Sequence, residues 1–586
     1  MKTVIGSVRH LLATGNKIQM LWGGGVLLTI IALAVLHHLW KGDRKKIRIW
    51  RILCLCPLII CICHFLIYVM GFFNAWGMFI TMYAMAVLAL IPIPFANRRI
   101  GYRIAASVTG ILIALCFPFY ILNAPNFFNY SRQSYTDSFR SLVKTMDKTY
   151  ILKEWKEIDF KELEAKYMPL VEEAEKANDP RKYTDAVILF CNELHDGHVW
   201  INTSFDKENY SSPLEPKKYG MAMIPLENGE VIAVCTDKEV NKLGIEDGTV
   251  ITKWNGKPVL KAAEEDVIDG GLPVKANADI ISVIDLSGVG GETVDVTFKD
   301  KSGKEKTVTL SAGSEKDSVN EAFELLAHRE TDDYEEFLNQ NFSTRMLDDK
   351  CGYLQLTAEE TTALNDASFF TSFGFTDMFS YVRGDHKFAR DLFREKLSDL
   401  KAQGMEYLVI DLRNNMGGFD EIGCALTDLL TDEDWYGQGL GIRKNGKYTC
   451  VSDHGIHGTG EFADLEVIAL TNFNCASAGD GTSLYLSRLP NVTLAGITDP
   501  EGCNQETGGV CVLSGGQITV CFPTGLILDE NCVPNVDTKA DRISRNPLEV
   551  RIPLDKETAM KIFHDKEDYE LQWAVDRLEN KSENDK

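Results

Sequence analysis

Phe473-Asn-Cys-Ala-Ser-Ala-Gly-Asp-Gly-Thr482 is the stretch whose reading decides the fold. The apolar run before it, Leu465-Glu-Val-Ile-Ala-Leu-Thr-Asn472, has the pattern of a buried strand. Ser483-Leu-Tyr-Leu-Ser-Arg-Leu489, after it, repeats apolar residues at helical spacing. Ser477 therefore falls at a strand-to-helix junction, where free backbone N–H groups and the positive end of the helix dipole converge. Negative charge developing on an oxygen is stabilised in such a place. A serine there also serves as a plain helix cap, and what separates the two roles is its company.

Upstream, Tyr407-Leu-Val-Ile-Asp-Leu-Arg413 reads as a second buried strand running into Asn414-Asn-Met-Gly-Gly418. Glycines at a strand end let backbone approach a ligand closely with N–H groups free. DLRNNMGG followed by a strand and N-x-x-SAGD resembles the tail-specific, or carboxyl-terminal processing, serine proteases of peptidase family S41. The resemblance runs from about Tyr135 to the C-terminus. It implies an α/β protease core of the ClpP/crotonase type, with Ser477 as nucleophile and an oxyanion hole made by Ala478 and by Gly417 or Gly418.

Many members activate the serine with a lysine in a downstream G-x-x-x-x-G-K-G-like segment. The corresponding segment, Gly496-Ile-Thr-Asp-Pro-Glu-Gly-Cys503, has none, and no lysine occurs between Lys447 and Lys539. A serine hydroxyl needs a base within hydrogen-bond reach. The tricorn-like branch places a histidine in a D-G-H turn, which His198 matches in Glu193-Leu-His-Asp-Gly-His198; His195 does not. A carboxylate then orients the imidazole. By resemblance this is Glu530, in Leu528-Asp-Glu-Asn-Cys-Val-Pro534, with Asp529 and Glu506 as alternatives. Asp480 reads as a residue stabilising the helix start.

Residues 213–312 resemble an inserted PDZ domain. Tyr219-Gly-Met-Ala-Met223 matches its carboxylate-binding loop and first strand, and Leu243–Gly256 matches a later segment, with Thr249 where aspartate is usual. Such a groove binds a chain end by strand addition, here at Tyr219, Gly220 and Met221.

The net charge of −23 hides a division. Residues 1–136 hold one acidic side chain, Asp43, against 13 Lys/Arg, while the other 450 residues carry 83 acidic and 48 basic. The acidic remainder argues against nucleic acid as a partner. Uncharged apolar runs at Leu21–Trp40, Ile52–Phe72, Trp76–Phe95 and Ile104–Leu122 are each near the ~20 residues that span a bilayer. Lys/Arg rather than a small-residue cleavage site follows the first, so it is not a removable leader. Basic loops at Lys41–Arg51 and Asn97–Arg103 predict a cytoplasmic side there. Four spans then leave everything after Asn123 outside the cytoplasm.

The expected organisation is a tail (1–19), four transmembrane helices (20–124), a helical part carrying His198 (125–212), the PDZ-like domain (213–312), a helical connector (313–349), the protease core (350–556) and a C-terminal helix and tail (557–586). Neither a P-loop nor an HExxH helix occurs, so no cofactor or metal is expected; His454 and His457 read as loop residues. Cys503, Cys511, Cys521 and Cys532 lie close enough in sequence for a disulfide in an oxidising compartment. Two functions follow: a membrane-anchored endopeptidase acting on polypeptides outside the cytoplasm, tail-specific if the PDZ-like domain captures chain ends, or a non-catalytic membrane receptor or scaffold that keeps the fold to bind peptides.

Overall fold

The computed structural model describes residues 17–66, 80–122, 126–204, 216–268, 270–328, 342–360, 385–444, 447–450 and 454–584. At its centre is a six-stranded sheet in the order Val550–Arg551, Val492–Gly496, Glu466–Leu470, Tyr407–Asp411, Cys351–Leu356, Phe342–Met346. All neighbours are parallel except the last pair. The four inner strands are buried on both faces, as parallel strands must be when helices cover them. Leu354, Leu408, Ile410, Val467 and Ala469 pack under Phe393, Leu426 and Leu486 from the crossover helices. Tyr353, Val409, Ile468 and Leu470 face Ala559, Ile562, Ala574 and Leu578 of the C-terminal helices.

The helices Asp385–Ala402, Asp420–Leu430 and Ala478–Ser487 carry the chain from one parallel strand to the next. Both motif loops, 412–418 and 471–477, thus emerge at the carboxyl ends of adjacent strands, where open α/β sheets bind ligands.

A second, seven-stranded sheet is built from distant pieces. Its long hairpin, Gln505–Val512 with Ile518–Leu528, is extended by Asn126–Asn129 on one strand and by Trp200–Thr203 on the other. The part expected to be helical, 125–212, does hold three capped helices, Tyr135–Thr149, Phe160–Ala177 and Pro180–Asn192. Its two strands, however, are threaded into this sheet. The pairing of Trp200–Thr203 with 518–521 carries the D-G-H turn across to the serine loop.

The stretch expected to be PDZ-like contains a third, antiparallel sheet in the order Ala222–Pro225, Val231–Val234, Val250–Trp254, Thr293–Lys299, Glu305–Ser311, with helices Val259–Asp266 and Lys275–Leu286. The connector is shorter than expected. A helix, Ser318–Ala327, is followed after residues outside the description by Phe342–Met346, which is already an edge strand of the central sheet.

The expectation of four spans is corrected. Among the described residues, three helices are long and apolar enough to cross a membrane: Trp22–Trp40, Arg44–His64 and Arg99–Cys116. The second starts earlier than its apolar run because the basic segment is itself helical, capped by Asp43 and turning Ile47 and Trp50 inward. The run expected at Trp76–Phe95 holds only a shorter apolar helix, and its first residues lie outside the described ones. Pro92 and Pro94 lack the N–H a helix needs, and the α-helix stops at Leu88.

His454–His457 is a strand rather than a loop. All fifteen cysteines are free thiols; Cys503, Cys511 and Cys521 are buried and Cys532 is exposed, so the expected disulfide is absent.

Candidate active site

Ser477 adopts φ 58° and ψ −128°, a backbone conformation rare for any residue with a Cβ. Such strain costs about 1–3 kcal/mol and persists only where the surroundings over-determine it. Here they do: Ser477 N–H donates to the Cys503 carbonyl (2.9 Å), and the following helix begins at Ala478. The side chain does not cap that helix. Its Oγ lies 3.0 Å from Nε2 of His198, so two residues 279 apart in sequence form one hydrogen-bonded pair.

The D-G-H turn is held by Asp196. Its Oδ1 accepts the His198 backbone N–H (2.9 Å) and its Oδ2 accepts the buried Tyr150 hydroxyl (2.7 Å). Asp196 thus fixes the turn, not the imidazole. Nδ1 of His198 is buried with no hydrogen-bond partner among the described residues. Burial lowers the His198 pKa, opposed by the nearby Asp196 charge, so the ring is held neutral and able to accept a proton. His195 faces elsewhere, its carbonyl accepting from Lys156 Nζ (2.8 Å).

The glycine loop packs directly on the serine. A Cβ on Gly417 (φ 82°) would sit 2.6 Å from both Ser477 Cβ and the Ala478 nitrogen, so only glycine permits the approach. Gly417 N–H is committed to Asn415 Oδ1 (2.9 Å). The amides of Gly418 and Ala478 have no acceptor among the described residues. An asparagine lattice joins the two loops. Asn472 Oδ1 accepts Asn414 N–H (3.0 Å), Asn474 Nδ2 donates to Asn414 Oδ1 (3.0 Å), and Ala476 N–H donates to the Asn415 carbonyl (2.9 Å).

Glu530 is not brought to the site. It is exposed on a turn, contacted by Asn531 Nδ2 at 3.4 Å, and lines a cleft with Trp435, Arg488 and Pro490. Arg488 caps the far end of the helix that starts beside Ser477. Ten residues of helix place that end about 15 Å from the serine. Asp529 accepts the Asn531 and Val533 N–H groups and shapes the same turn (2.8 and 3.0 Å), and Glu506 is exposed. A loop two residues longer or shorter would move these carboxylates, and sequence offset alone could not place them.

The carboxylate that does reach the turn is Glu501. A Cβ on Gly197 would collide with its Oε1 and lie 2.8 Å from Cys503 Sγ, and that thiol donates to Glu501 Oε2 (3.2 Å). Burial pushes Glu501 up to about 7, with Asp196 adding to the shift. Its signal in the sequence was its position in Gly496–Cys503, the segment that resembles the lysine-bearing one. Asp480 does not cap its own helix; its Oδ2 accepts the Gly502 (2.5 Å) and Cys503 (3.0 Å) N–H groups, stitching that segment to the serine helix.

Tyr219 and Met221 are buried in the small domain. Tyr219 donates its hydroxyl to the Gly291 carbonyl (2.6 Å), and Gly220 holds φ 83° against Asp237.

Residues 374–511 match the sequence profile described as Peptidase family S41. No curated protein matches the chain. Among solved structures it is similar to mature CPAF (12% identity, TM-score 0.49, covering 77% of this chain and 98% of that one). It is also similar to the photosystem II D1 C-terminal processing protease (16%, TM-score 0.31, 74% and 98%) and to the tricorn protease (15%, TM-score 0.32, 76% and 37%). The matched span encloses the glycine loop, the Ser477 turn and the Glu501 segment; over those residues the chain is similar to peptidase family S41, and it is a serine-type peptidase.

Proposed function

We propose that the chain is a membrane-anchored endopeptidase that cleaves polypeptides through an acyl-enzyme, with its catalytic part outside the cytoplasm. Ser477 attacks the carbonyl while His198 Nε2 takes its proton and later returns it to the leaving amine. The Gly418 and Ala478 amides hold the oxyanion, Gly417 being occupied by Asn415. Glu501, packed against Gly197 of the D-G-H turn, takes the place of Glu530 as the candidate orienting carboxylate, and would do so only on turning toward the His198 Nδ1, which is unpaired among the described residues. The observation that carries the reading is the 3.0 Å contact between His198 and Ser477. A non-catalytic receptor would have no need of it, nor of a strained serine with two unpaired amides beside it.

The small antiparallel domain is read as PDZ-like, which would make cleavage tail-selective, although Tyr219–Met221 are buried and Gly220 is packed against Asp237, so chain ends would reach them only after a rearrangement. The basic stretches Lys41–Arg51 and Asn97–Arg103 support a cytoplasmic side for both. An outer catalytic part then requires one crossing between them besides the three long helices.

Labelling with a fluorophosphonate tests the chemistry. Wild type should react, Ser477→Ala should not, and His198→Ala should react about 10²–10⁴-fold more slowly. Equal labelling of all three would remove the hydrolase reading.

A further inference from the structure

Glu359 has no role in the chemistry just described, yet it touches both halves of the oxyanion site. Its backbone brackets Gly418: Glu359 N–H donates to the Gly417 carbonyl (2.8 Å), and its carbonyl accepts Phe419 N–H (2.7 Å). These bonds on either side leave the Gly418 amide unspent and fix its direction. Gly418 holds φ 144°, and a Cβ there would collide with the Glu359 carbonyl, so the approach needs glycine.

The Glu359 side chain reaches the other half. It is fully buried. Oε1 accepts the Thr482 hydroxyl (2.7 Å), from the first turns of the helix that begins at Ala478, and Asn415 Nδ2 (3.2 Å), from the glycine loop. Asn415 in turn holds Gly417 N–H through its Oδ1 (2.9 Å). Oε2 faces Gly423 with no hydrogen-bond partner among the described residues. One buried carboxyl therefore ties together the loop that carries one oxyanion donor and the helix that carries the other.

We infer that Glu359 is the positioning residue of the oxyanion hole, holding the Gly418 and Ala478 amides at a fixed separation. The inference rests on the peptidase reading above and adds a residue to it.

No cation lies among its contacts with the described residues. The titratable groups facing it are Asp420 and Cys424 from one helix, and Cys475 and Tyr485 from the serine loop and helix. Burial, with Asp420 adding to it, pushes Glu359 up to about 8. The carboxyl is neutral at neutral pH and takes on charge in a dry site only as pH rises through that value. Repulsion from Asp420 then works against the clamp, opposed by the Thr482 and Asn415 bonds, which favour the ionised carboxyl.

The test is the rate of Ser477 phosphonylation by a fluorophosphonate, measured on the full chain in detergent from pH 6 to 10. Its phosphoryl oxygen occupies the same donors as a substrate oxyanion. Glu359→Ala is expected to lower the maximal rate by about 10²-fold, the loss typical of one oxyanion donor, with little change in half-saturating concentration. Glu359→Gln keeps the shape and the Oε1 acceptor without titrating. It should retain most of the rate and lose the decline that the wild type shows near pH 8. Should Glu359→Ala fail to fold by circular dichroism, the glutamine variant decides alone. A Glu359→Gln profile superimposable on a declining wild-type profile would overturn the inference while leaving the peptidase intact. Absence of any Ser477-dependent reaction in wild type would overturn both.

Discussion

At the scale of single residues, the proposed chemistry rests on a histidine whose environment sets its protonation. Burial holds His198 below its ordinary value of 6.5. The rate of Ser477 labelling should therefore rise with pH through a midpoint below 6.5 and be flat at neutrality, which a pH–rate profile measures. The same shift sets a sign for stability. The folded state favours the neutral ring, so this contribution is complete above the unfolded value and is lost as pH falls through the folded one. Two glycine-scale predictions separate the carboxylates. Gly197→Ala drives a methyl group into Glu501 and Cys503, and overpacking of this kind costs about 1–3 kcal/mol. It should lower the melting temperature and depress labelling. Glu530→Ala removes an exposed side chain and should alter stability by no more than about 0.5 kcal/mol, with labelling unchanged. Loss of labelling in Glu530→Ala would restore it as the orienting group.

At the scale of elements, the site depends on how its loops are tied to the surrounding helices. Arg413, immediately before the glycine loop, is buried. It donates to Asp411 (Nη2–Oδ2 2.7 Å) and to Asp568 (Nη1–Oδ1 2.7 Å, Nη2–Oδ2 2.8 Å), the residue preceding the C-terminal helix Tyr569–Asn584. Burial works against the charge on Asp568, but Arg413 overrides it and holds the carboxyl well below the usual range. That contribution is present at neutral pH and is lost as pH falls through the depressed folded value. Removing the guanidinium strands buried carboxylates, so Arg413→Ala should cost about 3–5 kcal/mol in denaturant unfolding. The helix Ser318–Ala327 is tied in the same way. The Ala327 carbonyl accepts Asn414 Nδ2 (2.7 Å) and Asn472 Nδ2 (3.1 Å), one from each motif loop, so the exit from the small domain ends on the asparagine lattice.

At the scale of the molecule, the proposal places an acidic peptidase on the outer face of a membrane, anchored by basic-flanked helices. Cys532 is exposed on the catalytic part and gives a direct test. A membrane-impermeant maleimide applied to intact cells should label the chain, and Cys532→Ser should abolish most of that labelling. Labelling only after permeabilisation would put the catalytic part on the cytoplasmic side.

Much of this protein was legible in its residues because the signals are local. Nearly continuous burial along Tyr407–Asp411 and Glu466–Leu470, the glycines of the 414–418 loop, the serine at a strand-to-helix turn and the apolar runs each follow from neighbours a few positions apart. The D-G-H turn was legible too, as was the absence of a dyad lysine. What only the tertiary structure decided involves distance along the chain. Strand pairing between Trp200–Thr203 and 518–521 brings His198 to Ser477, and no local pattern encodes that register. Helix length carries Glu530 away from the serine, while a glycine turn lets Glu501 in. Glu359 becomes a buried clamp because two loops and a helix close over it, and burial is a property of the packed molecule rather than of any segment.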